Sequence, residues 1–266
     1  MSCAFNVSVN SGAESFRYSG LNNDVIGRSL YWRGLRAWEP ETIKTFIDLI
    51  RGAKVFLDVG ANTGIYSLIG LAINPKLQVI AFEPVPRIRR RLEENIRLNG
   101  WQDRCEVRAE AVSGSPGVAQ FHIPYEECPT SASLNESGFR GFEGEVIAVP
   151  VTTLDEVCGE LFALDVVKID VEGFEDKALE GMKRILNRFA PDLLLECNPD
   201  GPMSQVQARL KELGYAFFHL TGSGAQLRPG LEPDPSERFR NYLCTKKNVW
   251  TEKSLEARAI MSCHRK

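Results

Sequence analysis

Val55-Phe56-Leu57-Asp58-Val59-Gly60-Ala61-Asn62-Thr63-Gly64-Ile65-Tyr66-Ser67 is an apolar run that enters a turn with two glycines and leaves it as a second apolar segment. A short apolar run bounded by glycine predicts a buried strand, and the segment after the turn predicts a helix. Before it, Ile43, Phe46, Ile47 and Ile50 recur at amphipathic-helix spacing behind Pro40. After it, strand-like runs at 79–82, 105–112, 166–171, 193–197 and 216–220 are interleaved with helical patterns at 88–98, 177–186 and 206–213. Runs such as LLLEC and DVVKIDV are apolar along most of their length, as in parallel strands covered on both faces. The alternation predicts an α/β fold, a doubly wound sheet with right-handed crossovers.

The expected organisation is an N-terminal extension, 1–39, with weak strand hints at 5–9 and 16–18, packing on a core of 40–245. A C-terminal tail follows at 246–266. Residues 118–123 and 146–151 read as strands flanking a long aperiodic stretch, and 124–145 is a candidate lid. Prolines 229, 233 and 235 predict an irregular connection after Leu227, with a late strand at 241–245. The 266 residues, 43% hydrophobic and 25% charged, suit one sizeable globular unit. A net charge of -3 gives no electrostatic footprint for nucleic acid. Seven scattered cysteines show no CxxC spacing, which favours reduced structural thiols over zinc. No signal-peptide pattern and no run of eighteen apolar residues is present, so a cytoplasmic protein without membrane insertion is expected.

Ligands of such sheets lie beyond the carboxyl ends of the strands, where the residues after Val59 sit. A phosphate loop would end in Gly-Lys-Ser/Thr, whereas Gly64 is followed by Ile65 and Tyr66. A dinucleotide fingerprint would place glycine where Asn62 stands, so pyrophosphate is disfavoured as well. A nucleoside with an amino-acid-like tail remains. Gly60 and Gly64 permit a tight turn, the Asn62 amide and the backbone N–H groups at the helix start would meet a carboxylate, and Ala61 and Thr63 of the turn join the expected cofactor contacts. Asp58 would accept from an ammonium. Glu83, 19 residues beyond Gly64 and followed by Pro84, would bind both ribose hydroxyls. Glu110, Ala111 and Val112, at the next strand end, would meet an adenine.

These stretches, FLDVGANTGIYS, AFEPVPRIRRRLEENIRLNG, EAVSGSPGVAQF, VPVTTLDEV, DVVKIDVEGFEDKALEGMKRIL and DLLLECNP, resemble class I S-adenosylmethionine-dependent methyltransferases, and more closely the FkbM family. The resemblance runs from about Trp38 to about Leu220, and Glu39-Pro40-Glu41 is similar to the family's acidic-proline opening. It implies a Rossmann-like, seven-stranded sheet with a reversed last strand, S-adenosyl-L-methionine as cofactor, and O-methylation of a hydroxyl on a sugar, glycan or natural product. Glu39, Ser67 and Asp170 join the expected cofactor contacts. An N-methyltransferase, a non-catalytic nucleoside-binding domain and an NAD-dependent oxidoreductase stand as alternatives.

Methyl transfer requires an acceptor oxygen held in line and a base for its proton. Glu172 is the expected base, with Asp170, Glu196 and His219 as alternatives; Asn198 faces the same crevice. A divalent metal on Asp170, Glu172 and Glu196 is compatible but not expected, because carboxylates at strand ends are common. The expected acceptor is a small molecule or glycan, and a homo-oligomer is compatible with the sequence. Arg87, Arg89, Arg90 and Arg91 read as a solvated helix face. Tyr31, Trp32 and Trp38 read as core residues, with an acceptor platform as the alternative.

Overall fold

The apolar run Val55–Val59 forms an interior strand of an eight-stranded mixed sheet. The structure, a computed structural model, describes residues 3–10, 14–20, 24–125, 144–236, 238–248 and 250. Strands β1 (Cys3–Asn10) and β2 (Glu14–Gly20) form a hairpin, followed by helices α1 (Val25–Arg33) and α2 (Pro40–Ile50). The alternation then begins with β3 (Val55–Val59), α3 (Ile65–Ile73), β4 (Gln78–Phe82), α4 (Pro86–Leu98) and β5 (Cys105–Arg108). Strands β6 (Ala111–Val112), β7 (Gly117–Pro124) and β8 (Gly144–Thr152) make a separate three-stranded sheet. It is followed by α5 (Leu154–Cys158), β9 (Val166–Ile169), α6 (Glu175–Glu180), α7 (Lys183–Phe189), β10 (Asp192–Glu196) and α8 (Met203–Glu212). Strands β11 (Ala216–Thr221), β12 (Gly224–Arg228) and β13 (Asn241–Thr245) complete the main sheet.

Its order is β12-β11-β13-β10-β9-β3-β4-β5. Strands β5, β4, β3, β9 and β10 run parallel, and β13 is inserted antiparallel between β10 and β11. The reversed strand is therefore present. The eighth strand, β12, exceeds the seven expected because the chain after β11 folds back in a hairpin through Gly224, at φ 93°. Residues 227 and 228, expected in an irregular connection, belong to that strand.

Period-two alternation sorts the side chains of this sheet onto two faces. Phe56, Val79, Ala81, Val166, Leu194, Phe218 and Leu243 pack with α1 to α4 in one core. Val55, Leu57, Phe82, Val167, Leu193, Phe217 and Tyr242 pack with α5 to α8 in the other. The same parity places Asp58, Lys168, Asp170, Glu196 and Asn241 on the α2–α3 face, at its carboxyl edge.

Three further expectations are corrected. Residues 105–112 were expected as one strand, but β5 stays in the main sheet while β6 pairs with β8, so the chain leaves the main sheet at Ala109-Glu110. The helix expected at 177–186 is divided at Gly181, where a β-carbon would stand 2.1 Å from the Ser113 carbonyl oxygen. Residues 1–39 hold a helix that their polar composition concealed, α1, capped by Asp24 accepting from the Gly27 N–H at 2.9 Å. The candidate lid lies outside the described residues from 126 to 143, and the tail lies outside them from 251.

The hairpin is fastened to the central turn. Asn99 exchanges both amide hydrogen bonds with the Arg17 backbone, and Asn95 accepts from the Ser19 N–H while donating to the Thr63 carbonyl. Buried Tyr18 donates to Asp24 and accepts from the Thr63 hydroxyl, each at 2.7 Å. Tyr18→Phe removes the oxygen that joins these two partners. We expect a loss of roughly 1–3 kcal/mol in urea unfolding, because a buried carboxylate loses a donor. A change under about 0.5 kcal/mol would show the tie to be idle.

Candidate functional site

The turn after β3 is built by contact. Gly60 has φ 80°, and a β-carbon there would lie 1.9 Å from the Asp170 carbonyl oxygen, so only glycine lets the ends of β3 and β9 approach. Gly64, at φ 92°, faces a Leu92 methyl of α4 that a β-carbon would meet at 2.3 Å. The N–H groups of the turn are consumed internally. Gly60 and Ala61 donate to the Phe82 carbonyl, Asn62 donates to Glu83 Oε2, Thr63 donates to Asn62 Oδ1, and Gly64 donates to the Ala61 carbonyl. A turn this buried satisfies its own backbone donors, and the N–H groups at the helix start, expected from the sequence to meet a ligand carboxylate, lie outside this internal set.

Glu83 closes the turn from the end of β4. Its second oxygen accepts from the Val85 N–H at 2.8 Å. Burial pushes its carboxyl up to about 7, against the two backbone N–H groups that stabilise its charge. Asp58, 1% exposed, accepts from the N–H and hydroxyl of Ser67 at 3.1 and 2.6 Å and so locks the start of α3.

Beside the turn lies a buried polar layer. Lys168 Nζ stands 2.5 Å from Asp170 Oδ2 and 4.7 Å from the centre of the Tyr66 ring. The Tyr66 hydroxyl donates to Glu39, which also accepts from the Asn241 side chain. Burial would lower the Lys168 pKa, but Asp170 and Glu39 outweigh it, so the ammonium is held firmly charged. Burial likewise opposes ionisation of Asp170 and is outweighed by Lys168 and a hydrogen bond with Glu196. Glu196 is driven well above the carboxylate range by burial and by Asp170, and so carries the proton of this pair. Lys168, Tyr66 and Asn241 escaped the sequence reading. The signal for Lys168 was a lone charge inside the apolar strand VVKI, which burial on both faces forces to find partners.

Glu172 follows β9 in a left-handed conformation, φ 49°. Its carboxyl is raised to about 7 by burial and by the charges of Asp170 and Glu175. Asp170, Glu172 and Glu196 each offer an oxygen within 4.8 Å of the others, a spacing that would admit a hard divalent cation. An acidic cluster alone does not define a metal centre, and none is assigned.

The cleft above these residues spans about 890 Å³, counting space open to solvent, a size suited to a nucleoside-type ligand. Of the residues singled out by sequence, Glu39, Asp58, Gly60, Ala61, Asn62, Glu83, Pro84, Glu110, Ala111, Val112, Asp170 and Glu172 line it. Thr63, Gly64 and Ser67 support the turn from behind, and Glu196 adjoins through Asp170. Glu110 is held by Arg108 at 2.5 Å; burial resists its ionisation, but that guanidinium keeps the carboxyl below its usual range.

His219 is not brought into this site. Its ring stacks on Tyr242, and Nε2 donates to the Phe239 carbonyl at 2.7 Å. Strand parity puts it on the face opposite Glu196, which corrects the reading of it as a base. Trp38 lines the cleft, whereas Tyr31 and Trp32 are 56% and 78% exposed on α1 rather than in the core. Arg89 is not merely solvated, since it donates to the carbonyls of Glu83 and Pro84.

The parallel strands are joined by a reversed β13 between β10 and β11, the hairpin strand β12 is added at the edge, and the cleft opens at the carboxyl ends of the parallel strands. This is the class I, Rossmann-like methyltransferase fold. The chain belongs to the methyltransferase FkbM domain family, whose model matches residues 58–217. It is similar to the 2-O-methyltransferase NoeI of Sinorhizobium fredii, at 32% identity over 50% of this chain and 59% of that protein. It is also similar to the hexuronic acid methyltransferase AglP of Haloferax volcanii, at 31% identity over 58% of this chain and 60% of that protein. The 31-O-demethyl-FK506 methyltransferase FkbM of Streptomyces tacrolimicus shares 28% identity over 62% of this chain and 74% of its own. The chain thus spans about three fifths of the length of the first two relatives. Among the described residues, no helix is long and apolar enough to cross a membrane.

Proposed function

We propose that this chain is an S-adenosylmethionine-dependent O-methyltransferase acting on a hydroxyl of a sugar, glycan or related natural product. The observation that carries the reading is the charge of the cleft. Glu39, Asp58, Glu83, Glu110, Asp170 and Glu172 line it, and Lys168 is the one lysine or arginine among the described lining residues. Such a lining offers carboxyl acceptors to a ligand bearing an ammonium and ribose hydroxyls, and offers a phosphate only Lys168, which Asp170 already pairs. The relatives' names supply the acceptor chemistry, a 2-O position, a hexuronic acid and the 31-O position of demethyl-FK506.

In this reading Glu83 takes the ribose hydroxyls, and Ala111 and Val112 meet the adenine with Glu110. Glu39 and Asp170 take the ammonium, and the N–H groups of Ile65 and Tyr66, at the first turn of α3, take the tail carboxylate. When bound, the cofactor supplies a methyl group made electrophilic by its sulfonium. The walls of the cleft orient the acceptor oxygen and exclude water, and the Glu172 carboxylate receives the hydroxyl proton. Residues 1–39 are proposed as an extension of a 40–245 catalytic unit. Four buried free thiols, Cys105, Cys158, Cys197 and Cys244, support a reducing, cytoplasmic setting.

The test is incubation with methyl-labelled cofactor and a panel of neutral sugars, hexuronic acids and secondary metabolites, followed by mass spectrometry of whatever gains label. Calorimetry with S-adenosylhomocysteine accompanies it. Glu83→Ala is expected to abolish detectable binding, and Glu83→Gln to weaken it roughly 10–100-fold, as loss of charged hydrogen bonds to two hydroxyls requires. Parent-like affinity in both variants would refute the ribose assignment. Tight NAD binding with no affinity for S-adenosylhomocysteine would refute the function.

A further inference from the structure

Glu172 lies on an irregular segment, followed by Gly173 at φ 96°, so no regular element fixes its side chain. Its carboxylate is instead reached by a chain of polar groups from two other segments. Asn198, two residues beyond β10, donates from Nδ2 to Glu172 Oε2 at 3.2 Å. Arg240, immediately before β13, donates from Nη1 to Asn198 Oδ1 at 3.2 Å, and the same nitrogen lies 4.0 Å from Glu196 Oε1. The Arg240 carbonyl accepts from the Cys197 N–H at 2.8 Å, which pins the two segments together. The amide of Asn198 is compatible with one orientation only. Turned over, it would set N–H groups against a guanidinium and an oxygen against a carboxylate.

We propose that Asn198 and Arg240 are positioning residues: Arg240 orients the Asn198 amide, and the amide holds the Glu172 carboxylate toward the acceptor side of the cleft. The proposal rests on the reading of Glu172 as base. The charged groups around Glu172 are Asp170 and Glu175, which disfavour its ionised form, and Arg240 and Lys168, which favour it, while the adjoining Glu196 holds its proton. Lys168 is already committed to Asp170 at 2.5 Å. Arg240 is therefore the cation whose removal changes Glu172 most directly, and Asn198→Asp would set a carboxylate where a donor now stands.

The acceptor-independent test is carbon-13 NMR titration of the full chain, labelled at glutamate carboxyls and saturated with S-adenosylhomocysteine. The Glu172 signal is identified by its loss in Glu172→Gln. Arg240→Met and Asn198→Asp are each expected to raise its titration midpoint by about one pH unit, as expected for losing an opposite charge or gaining a like one nearby. Midpoints within 0.2 unit (roughly 0.3 kcal/mol) of the parent in both variants would overturn the proposal. The kinetic arm uses a sugar that gains label in the screen. Asn198→Asp is expected to lower kcat at neutral pH and to recover at alkaline pH, while adding less than about twofold in a Glu172→Gln background. An equal loss at every pH, or an equal loss in that background, would assign the pair a purely structural role. Full turnover by Glu172→Gln would overturn the base reading, while the titration would still decide the contacts.

Discussion

Glu172→Gln is expected to leave S-adenosylhomocysteine affinity within about twofold of the parent and to lower kcat by roughly 10²–10⁴-fold, the span of a positioned general base. Glutamine keeps the shape and removes the capacity to take a proton, so the loss falls on turnover. The choice among the clustered acids follows from their surroundings. Asp170 is ionised but bound to Lys168, which makes it a weak base. Glu196 holds a proton already. Glu172, raised to about 7 by burial and its acidic neighbours, combines useful basicity with a place in the cleft wall. With Glu172 as the proposed base, its ionised form is the active one, and kcat/KM is expected to fall as pH drops through about 7 and to level above it, with a flat profile there in the variant. Stopped assays between pH 5.5 and 9 measure this, and parent-like turnover in the variant would transfer the role to another group.

Gly60→Ala is expected to cost at least about 3 kcal/mol in urea unfolding and to abolish S-adenosylhomocysteine binding. Two effects add. A φ of 80° is strained for alanine, and the new methyl overlaps the Asp170 carbonyl oxygen at 1.9 Å. That oxygen belongs to backbone at the ends of two paired strands, so nothing flexible can yield. Gly224→Ala is the control: its φ of 93° is equally left-handed, but no atom lies within 4 Å of the added carbon. It is expected to cost only about 1–2 kcal/mol. Equal losses in the two variants would mean that the close approach of β3 to β9 contributes nothing.

The fold was legible where local pattern determines it. The apolar run ending at Val59, the two glycines and Glu83 after the next strand follow from short-range spacing, and the structure places them around one cleft. The internal bracing of the turn was not legible, because sequence does not show that Phe82, Glu83, Asn62 and Ala61 accept from its N–H groups. His219 was misjudged because ending a strand does not reveal a face; its register partner Tyr242 lies beside Asn241, whose side chain points the other way. Tyr66, Asn241 and Arg240 reach the site across 27, 45 and 68 residues from Glu39, Glu196 and Glu172, a connection only tertiary structure makes.

Among the described residues, four other than glycine have positive φ, and three of them, Glu39, Asn62 and Glu172, line the cleft. Each is held roughly 1–2 kcal/mol above a relaxed backbone. Glycine at any of the three would make a hardier protein by that measure, and at 39 or 172 it would delete a carboxylate. Thermal robustness and turnover should therefore pull in opposite directions at these positions, and a heat-selected library would drift toward glycine where the chemistry is weakest.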